Sequence, residues 1–217
     1  MFYRLLLFAF LLKSPALTAC AFHAAGPVKV IITGHTGGGK TSVINELAKR
    51  GYQVVPECAT IVVNSEYALL DKLHPEKAPH NSPSQIENLQ FKIFDTQEIA
   101  YNQALVQSIM KPPKNNLIIF DRSEFDTWIY CQIFYPPNFF TASQQEFFSK
   151  IVKRALDHHH FNQNVLFFNA RHEESLSLGN QIHKYYQDFG FILHEVGFKD
   201  TVAEKADYVE GLLLKLL

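Results

Sequence analysis

Cysteine is scarce in this chain: Cys20, Cys58 and Cys131 are the three among 217 residues. They lie far apart and form no C-x-x-C, so neither a zinc site nor a disulfide framework is suggested. An excess of charge of one sign is missing as well. Twenty Lys and Arg stand against 21 Asp and Glu, a net charge of −1. That argues against a surface that collects the phosphates of a nucleic-acid polymer, although a local basic groove stays open. Neither N-K-x-D nor D-x-x-G occurs, which disfavours a GTPase switch. Internal repeats and low-complexity segments are also lacking. What remains is ordinary globular composition, 47% hydrophobic and 19% charged, in a length that suits one substantial α/β domain with a real core.

Against those absences stands Gly34-His35-Thr36-Gly37-Gly38-Gly39-Lys40-Thr41. An apolar run, Val28 to Thr33, precedes it, and a helical segment, Ser42 to Arg50, follows. Strand, glycine-rich turn and helix in that order fit G-x-x-x-x-G-K-[ST], the phosphate-binding P-loop. Glycines let the backbone bend around a triphosphate and aim successive N–H groups at its oxygens. The helix N-terminus adds a positive dipole end. The spacing assigns Lys40 to the β- and γ-phosphates and the Thr41 hydroxyl to Mg²⁺. Nucleotide contacts are therefore expected over Gly34, His35, Thr36, Gly37, Gly38, Gly39, Lys40, Thr41 and Ser42.

Residues 1–27 are read as lying outside the fold, and 28–217 as the P-loop domain. Arg4 precedes eight apolar residues, Leu5 to Leu12, and Leu17-Thr18-Ala19-Cys20 follows. This looks like an export signal with a lipoprotein cleavage box. Eight residues make a helix of about 12 Å, too short for a bilayer. Lys13, Ser14 and Pro15 interrupt the run, and ATP is scarce outside the cytoplasm. A translation start near Val28 is a third reading of the segment; a cytoplasmic protein is favoured, with the segment an anchor, a remnant or an artefact, and a membrane-anchored lipoprotein through Cys20 is the alternative. Contact with a membrane is expected through this segment alone.

Further along, Tyr52 to Glu57 reads as a second strand stopping at Pro56. It leaves Glu57 at a strand's C-terminal end, where open α/β sheets place ligands. Ala59 to Asp71 reads as a helix, and His74 to Pro83 as a loop, either a substrate loop or a plain linker. Ser84 to Met110 is a long helix whose Ile86, Leu89, Ile93 and Phe94 form an apolar stripe expected to face the sheet. Gln90, Gln97 and Gln103 on it line an acceptor pocket or a solvated face. Leu117-Ile118-Ile119-Phe120-Asp121 is a buried strand ending in an acid. About 80 residues after the P-loop, it has the Walker-B pattern that places a carboxylate on Mg²⁺. Arg122 follows with a planar fork for an anionic group. Asp126 and Tyr130, four apart, share a helix face toward Asp121; a surface acid and a half-buried ring are the alternative. Asp157-His158-His159-His160 is a poor metal site, since adjacent side chains diverge. Asn164 to Asn169 and Phe191 to Val196 are two more strands. Arg171 lies just past the first of them, in the position of a lid, and a surface ion pair is its alternative. Thr201 to Leu217 closes the chain as an amphipathic helix. The expected architecture is a three-layer α/β P-loop NTPase fold with a five-stranded, mostly parallel sheet flanked by helices.

Gly34 to Thr41, the Val-Pro-Glu end of the second strand, and Phe120-Asp121-Arg122 with Asp126 and Tyr130 together carry a resemblance. So does Tyr185-Tyr186 before Gly190-Phe191. Over about residues 28–217 the chain resembles the kinase-like branch of AAA-type P-loop domains that includes NadR-type ribosylnicotinamide kinases. Asp121-Arg122-Ser123 is also similar to motifs of deoxynucleoside and thymidylate kinases. The resemblance implies that Arg122 helps position an acceptor and that Glu57 acts as base. The lid offers Arg171 where such kinases often place two or more arginines. The expected function is a phosphotransferase that moves the γ-phosphoryl of ATP, with Mg²⁺ on Thr41 and Asp121, to a small nucleoside-like acceptor. Lys40, Glu57, Asp121, Arg122 and Arg171 would be catalytic, and Arg122, Asp126 and Tyr130 would bind the acceptor. The alternative is an AAA-type ATPase that acts as a nucleotide-dependent regulatory module with no small-molecule acceptor; remodelling motors are disfavoured, since no room remains for a second helical domain.

Overall fold

A computed structural model describes residues 26–66, 83–135, 138–158, 161–169 and 176–216. Within it, strands β1 (Val28–Gly34), β2 (Gln53–Val55), β3 (Leu117–Asp121), β4 (Asn164–Phe168) and β5 (Ile192–Val196) form one sheet in the order β2-β3-β1-β4-β5. Every pairing is parallel, and β1 runs beside β3 from Val28 opposite Leu117 to Ile32 opposite Asp121. The described helices are α1 (Lys40–Lys49), α2 (Cys58–Glu66), α3 (Pro83–Met110), α4 (Glu124–Phe134), α5 (Ala142–His158), α6 (Leu176–Asp188) and α7 (Val202–Leu216).

The sequence dictates this layering. Strands buried on both faces read as continuous apolar runs, and successive side chains point to opposite faces. Val30 and Ile32, Leu117 and Ile119, and Leu166 and Phe168 pack on one face against Val43 and Leu47 of α1 and Val209 and Leu213 of α7. Ile31, Val165 and Phe167 pack on the other against Phe125 and Ile129 of α4 and Ile182 and Tyr186 of α6. Tyr101 and Ala104 of α3 cover Ile118 and Phe120 on that second face. The result is helix, sheet, helix.

The stripe on α3 is buried, but its partners differ from the expectation. Ile86 and Phe94 pack against Cys131, Phe140 and Phe148, while Leu89 and Ile93 meet Val62. The helix is long enough for its first half to pack on α2, α4 and α5 while its second half reaches the sheet. A periodic stripe names a buried face without naming what buries it.

α7 is fastened to the end of α1. Arg50 Nη1 lies 2.6 Å from Asp207 and 3.0 Å from Glu210, and the Tyr52 hydroxyl donates to Glu210 at 2.8 Å. Hydrogen bonds from Lys114, then Tyr52, hold the Glu210 carboxyl down at about 2. α7 is thereby clamped onto the layer that carries the glycine-rich loop.

Candidate functional site

The order β2-β3-β1-β4-β5 reverses direction next to β1, and the carboxyl ends of β1 and β3 open onto one crevice. That is where open parallel sheets bind ligands. The glycine-rich loop leaves β1 at Gly34, whose φ is 123°. A Cβ there would lie 2.4 Å from the Phe168 carbonyl oxygen, so the loop can start beside β4 only with glycine. The His35 N–H then donates to the Phe168 carbonyl at 2.9 Å. Lys40, the first residue of α1, folds back into the loop and donates to the carbonyls of His35 at 2.8 Å and Gly34 at 3.2 Å. Its ammonium is pushed down to about 8, by burial first and by the neighbouring Arg122 charge second. Thr41, Ser42, Thr36, Gly37 and Gly39 are exposed at the loop's mouth.

His35 itself points inward and is buried, edge-on to the Phe167 ring with centroids 5.3 Å apart. Gly179 of α6 lies against it so closely that a Cβ there would fall 1.9 Å from Nδ1. Glycine within a helix ordinarily costs about 0.5–1 kcal/mol relative to alanine. Here the sign reverses. We expect Gly179→Ala to lower stability by about 1–3 kcal/mol through overpacking against a ring that has nowhere to swing. Urea unfolding checks this; a variant as stable as the wild type, or more so, would show that His35 moves aside freely.

Asp121 ends β3 opposite Ile32, one strand from the loop. Burial, then the Glu57 charge, pushes its carboxyl up to about 6 against the pull of Arg122 and Lys40. Its Oδ1 is buried with no hydrogen-bond partner among the described residues. An unpartnered carboxylate oxygen at the end of β3, one strand from the loop that carries Thr41, suits Mg²⁺, which takes one or two protein oxygens and completes its shell with phosphate and water.

Arg122 follows in the left-handed region, φ 66°, a conformation rare for residues with a side chain. The strain turns its guanidinium into the crevice. Arg122 Nε lies 2.7 Å from Glu57 Oε1, although the N–H does not point along that line, and Nη1 lies 3.2 Å from Asp126 Oδ1. Burial opposes the charge of Arg122, yet Asp126, Tyr130, Glu57 and Asp121 outweigh it and raise the group above its ordinary value. Tyr130 lies beneath the guanidinium, 5.4 Å from it, and hydrogen-bonds Thr36 of the loop.

Asp126 is buried at the start of α4, where it and Ser123 form a capping box. Its Oδ1 accepts from the Thr33 hydroxyl at 2.5 Å and from Arg122, and its Oδ2 accepts from the Ser123 N–H at 3.1 Å and the Tyr186 hydroxyl at 2.6 Å. Each oxygen thus already has two donors. The sequence expectation of a helix-face acid aimed at Asp121 did not foresee this web. Tyr186, noted only for the resemblance, and Thr33 are fully buried polar groups, and nothing local marks their contacts with Asp126. Lys205 was missed as well: it is buried in α7 and donates to the Gly38 carbonyl at 2.8 Å. Its signal was readable, since Lys205, Val209 and Leu213 share one helical stripe, where a lysine is out of place.

Beside the loop is a cavity of about 240 Å³ walled by Glu57, Arg122, Asp126, Tyr130, Gln90 and Gln97, with Leu89, Ile93 and Phe134 supplying apolar surface. Gln90 Oε1 and Gln97 Nε2 are buried in its wall without partners among the described residues. Gln103 lines other, shallower depressions. The structure thus brings together Lys40, Glu57, Asp121, Arg122, Asp126 and Tyr130 at one crevice. Arg171, His159, His160 and the 74–82 part of the expected loop lie outside the described residues, as do residues 1–25. Among the described residues no helix is long and apolar enough to cross a membrane.

Residues 29–205 match the family described as AAA domain. The chain belongs to that family. No curated protein matches it. Among solved structures it is similar to a deoxyadenosine kinase from M. mycoides with bound dATP, with a TM-score of 0.56 and 15% identity over 86% of this chain and 99% of that one. It is also similar to the NadR protein in complex with NR, with a TM-score of 0.56 and 14% identity over 85% of this chain and 50% of that one. The chain thus spans half the length of NadR. At these identities the likeness fixes the fold, and the AAA domain has the architecture of P-loop kinases.

Proposed function

We propose that this AAA domain is a Mg–ATP-dependent phosphotransferase acting on a small nucleoside-like acceptor. The observation that carries the reading is the cavity beside the glycine-rich loop, with a carboxylate and a guanidinium at its mouth and one unpaired amide atom from each of two glutamines in its wall. A plain ATPase needs no such chamber. An oxygen acceptor from Gln90 and a nitrogen donor from Gln97 suit a planar polar ring system with both kinds of group, held between apolar side chains. The solved neighbours include NadR with NAD and AMP-PNP and the deoxyadenosine kinase with dCTP, which accords with a nucleotide on the loop and a nucleoside-like partner beside it.

Lys40 exchanges its contacts with the His35 and Gly34 carbonyls for the β- and γ-phosphates. Asp121 and Thr41 would hold Mg²⁺, which would supply charge neutralisation on the phosphate oxygens. Glu57 accepts the proton of the acceptor hydroxyl, and Arg122 holds Glu57 in place from the other side. Asp126, with both oxygens engaged, orients Arg122. Arg171 is assigned the lid contact by its place after β4.

The test is ATP consumption with Mg²⁺ present, with and without a panel of nucleosides. Stimulation of at least about tenfold by one compound, with the phosphorylated product seen by mass, is the expected result. Slow hydrolysis indifferent to every compound would instead mark a regulatory ATPase.

A further inference from the structure

We infer that Lys205 is a positioning residue for the glycine-rich loop: it holds the Gly38–Gly39 peptide so that the Gly39 N–H is presented to phosphate. The inference rests on the proposed nucleotide-dependent activity and adds to it a residue 167 positions away in sequence from the loop it controls. A buried ammonium is costly unless something receives it. Lys205 is 6% exposed, and its Nζ points at the Gly38 carbonyl, 2.8 Å away, over the faces of Phe168 at 4.8 Å and Phe198 at 5.2 Å.

A trans peptide is planar, so its C=O and N–H point in opposite directions. Fixing the Gly38 carbonyl toward α7 therefore fixes the Gly39 N–H away from α7. Gly37, Gly38 and Gly39 run consecutively, with φ of 74° at Gly37 and 82° at Gly39. A glycine run has little preference of its own, and a peptide flip within it is cheap. A flipped peptide would set a carbonyl oxygen where an anion needs a donor. The lysine removes that alternative. It acts through the backbone, and the clamp of α7 on α1 through Arg50 and Glu210 keeps its own helix in place without it.

The experiment compares wild type with Lys205→Met, which keeps the apolar stem on the buried stripe and removes the donor. Calorimetry with ATP and with inorganic tripolyphosphate, each with Mg²⁺, reads the loop's grip on phosphate with and without a base. Expected is a loss of about tenfold or more in affinity for both probes, the size of a charge-assisted hydrogen bond. Hydrogen exchange of the nucleotide-free protein should show residues 34–41 exchanging faster while α7 keeps its protection. Affinity within about twofold of wild type for both probes would overturn the inference. Weaker ATP binding with tripolyphosphate unchanged would overturn it too, since that places Lys205 at the base. Should wild type bind neither probe, the phosphotransfer reading falls separately, and loop exchange alone decides on Lys205: unchanged protection of 34–41 sinks it.

Discussion

Glu57→Gln is expected to slow phosphoryl transfer by roughly 10²–10⁴-fold while leaving ATP bound as in the wild type. The substitution keeps the shape of the side chain and an oxygen near Arg122, and it removes the group proposed to take the acceptor's proton. Glu57 stands just past β2 at the rim of the cavity, 2.7 Å from Arg122 Nε, while Lys40 is held by the His35 and Gly34 carbonyls and feels Glu57 through space. Nucleotide contacts should therefore survive. Single-turnover transfer measured beside a nucleotide titration separates the two effects. A Glu57→Gln enzyme that transfers at the wild-type rate removes the base assignment, and one that loses ATP binding shows Glu57 to be part of the nucleotide site.

Asp126→Ala carries the second large effect, a loss of about 3–5 kcal/mol in unfolding free energy. The magnitude follows from what is left behind. Arg122 loses one of its two carboxylates, the Thr33 and Tyr186 hydroxyls lose an acceptor, and α4 loses half of its capping box. Buried polar groups without partners cost about 1–3 kcal/mol each, and the four bonds share one carboxylate, so their losses do not simply add. Urea denaturation measures the change. A loss under about 1 kcal/mol would mean that water replaces the carboxylate, and that Asp126 is as free to meet an acceptor as a helix-face acid would be.

The features legible in the sequence were those written in neighbouring residues. Strand, glycine turn and lysine from Val28 to Lys40 are one local pattern, and so is the run from Leu117 to Asp121 that ends in its acid. The α/β class and parallel sheet followed, because only a sheet covered on both faces makes such apolar strands. What could not be read depends on contacts distant in sequence. Nothing near Gly179 says that an imidazole from residue 35 fills the space its missing Cβ leaves. Nothing near Tyr186 says that its hydroxyl ends on Asp126. The stripe on α3 was found and its partner misjudged, because period reports which face is buried and topology decides against what. Arg122 and Asp126 were singled out for their types and spacing; that they hold one another, with Glu57 as third member, emerges when β2, β3 and α4 meet.

The placing of β1 at the centre of the sheet, with α7 packed on the helix that follows it, has a consequence for biosynthesis. The glycine-rich loop leaves the ribosome well before the lysine 167 positions later that donates to its Gly38 carbonyl. On the inference drawn for Lys205, the loop takes its final shape only after α7 has been made. A nascent chain stalled short of residue 205 would carry an untethered glycine run, a built-in delay between making the loop and fixing its shape.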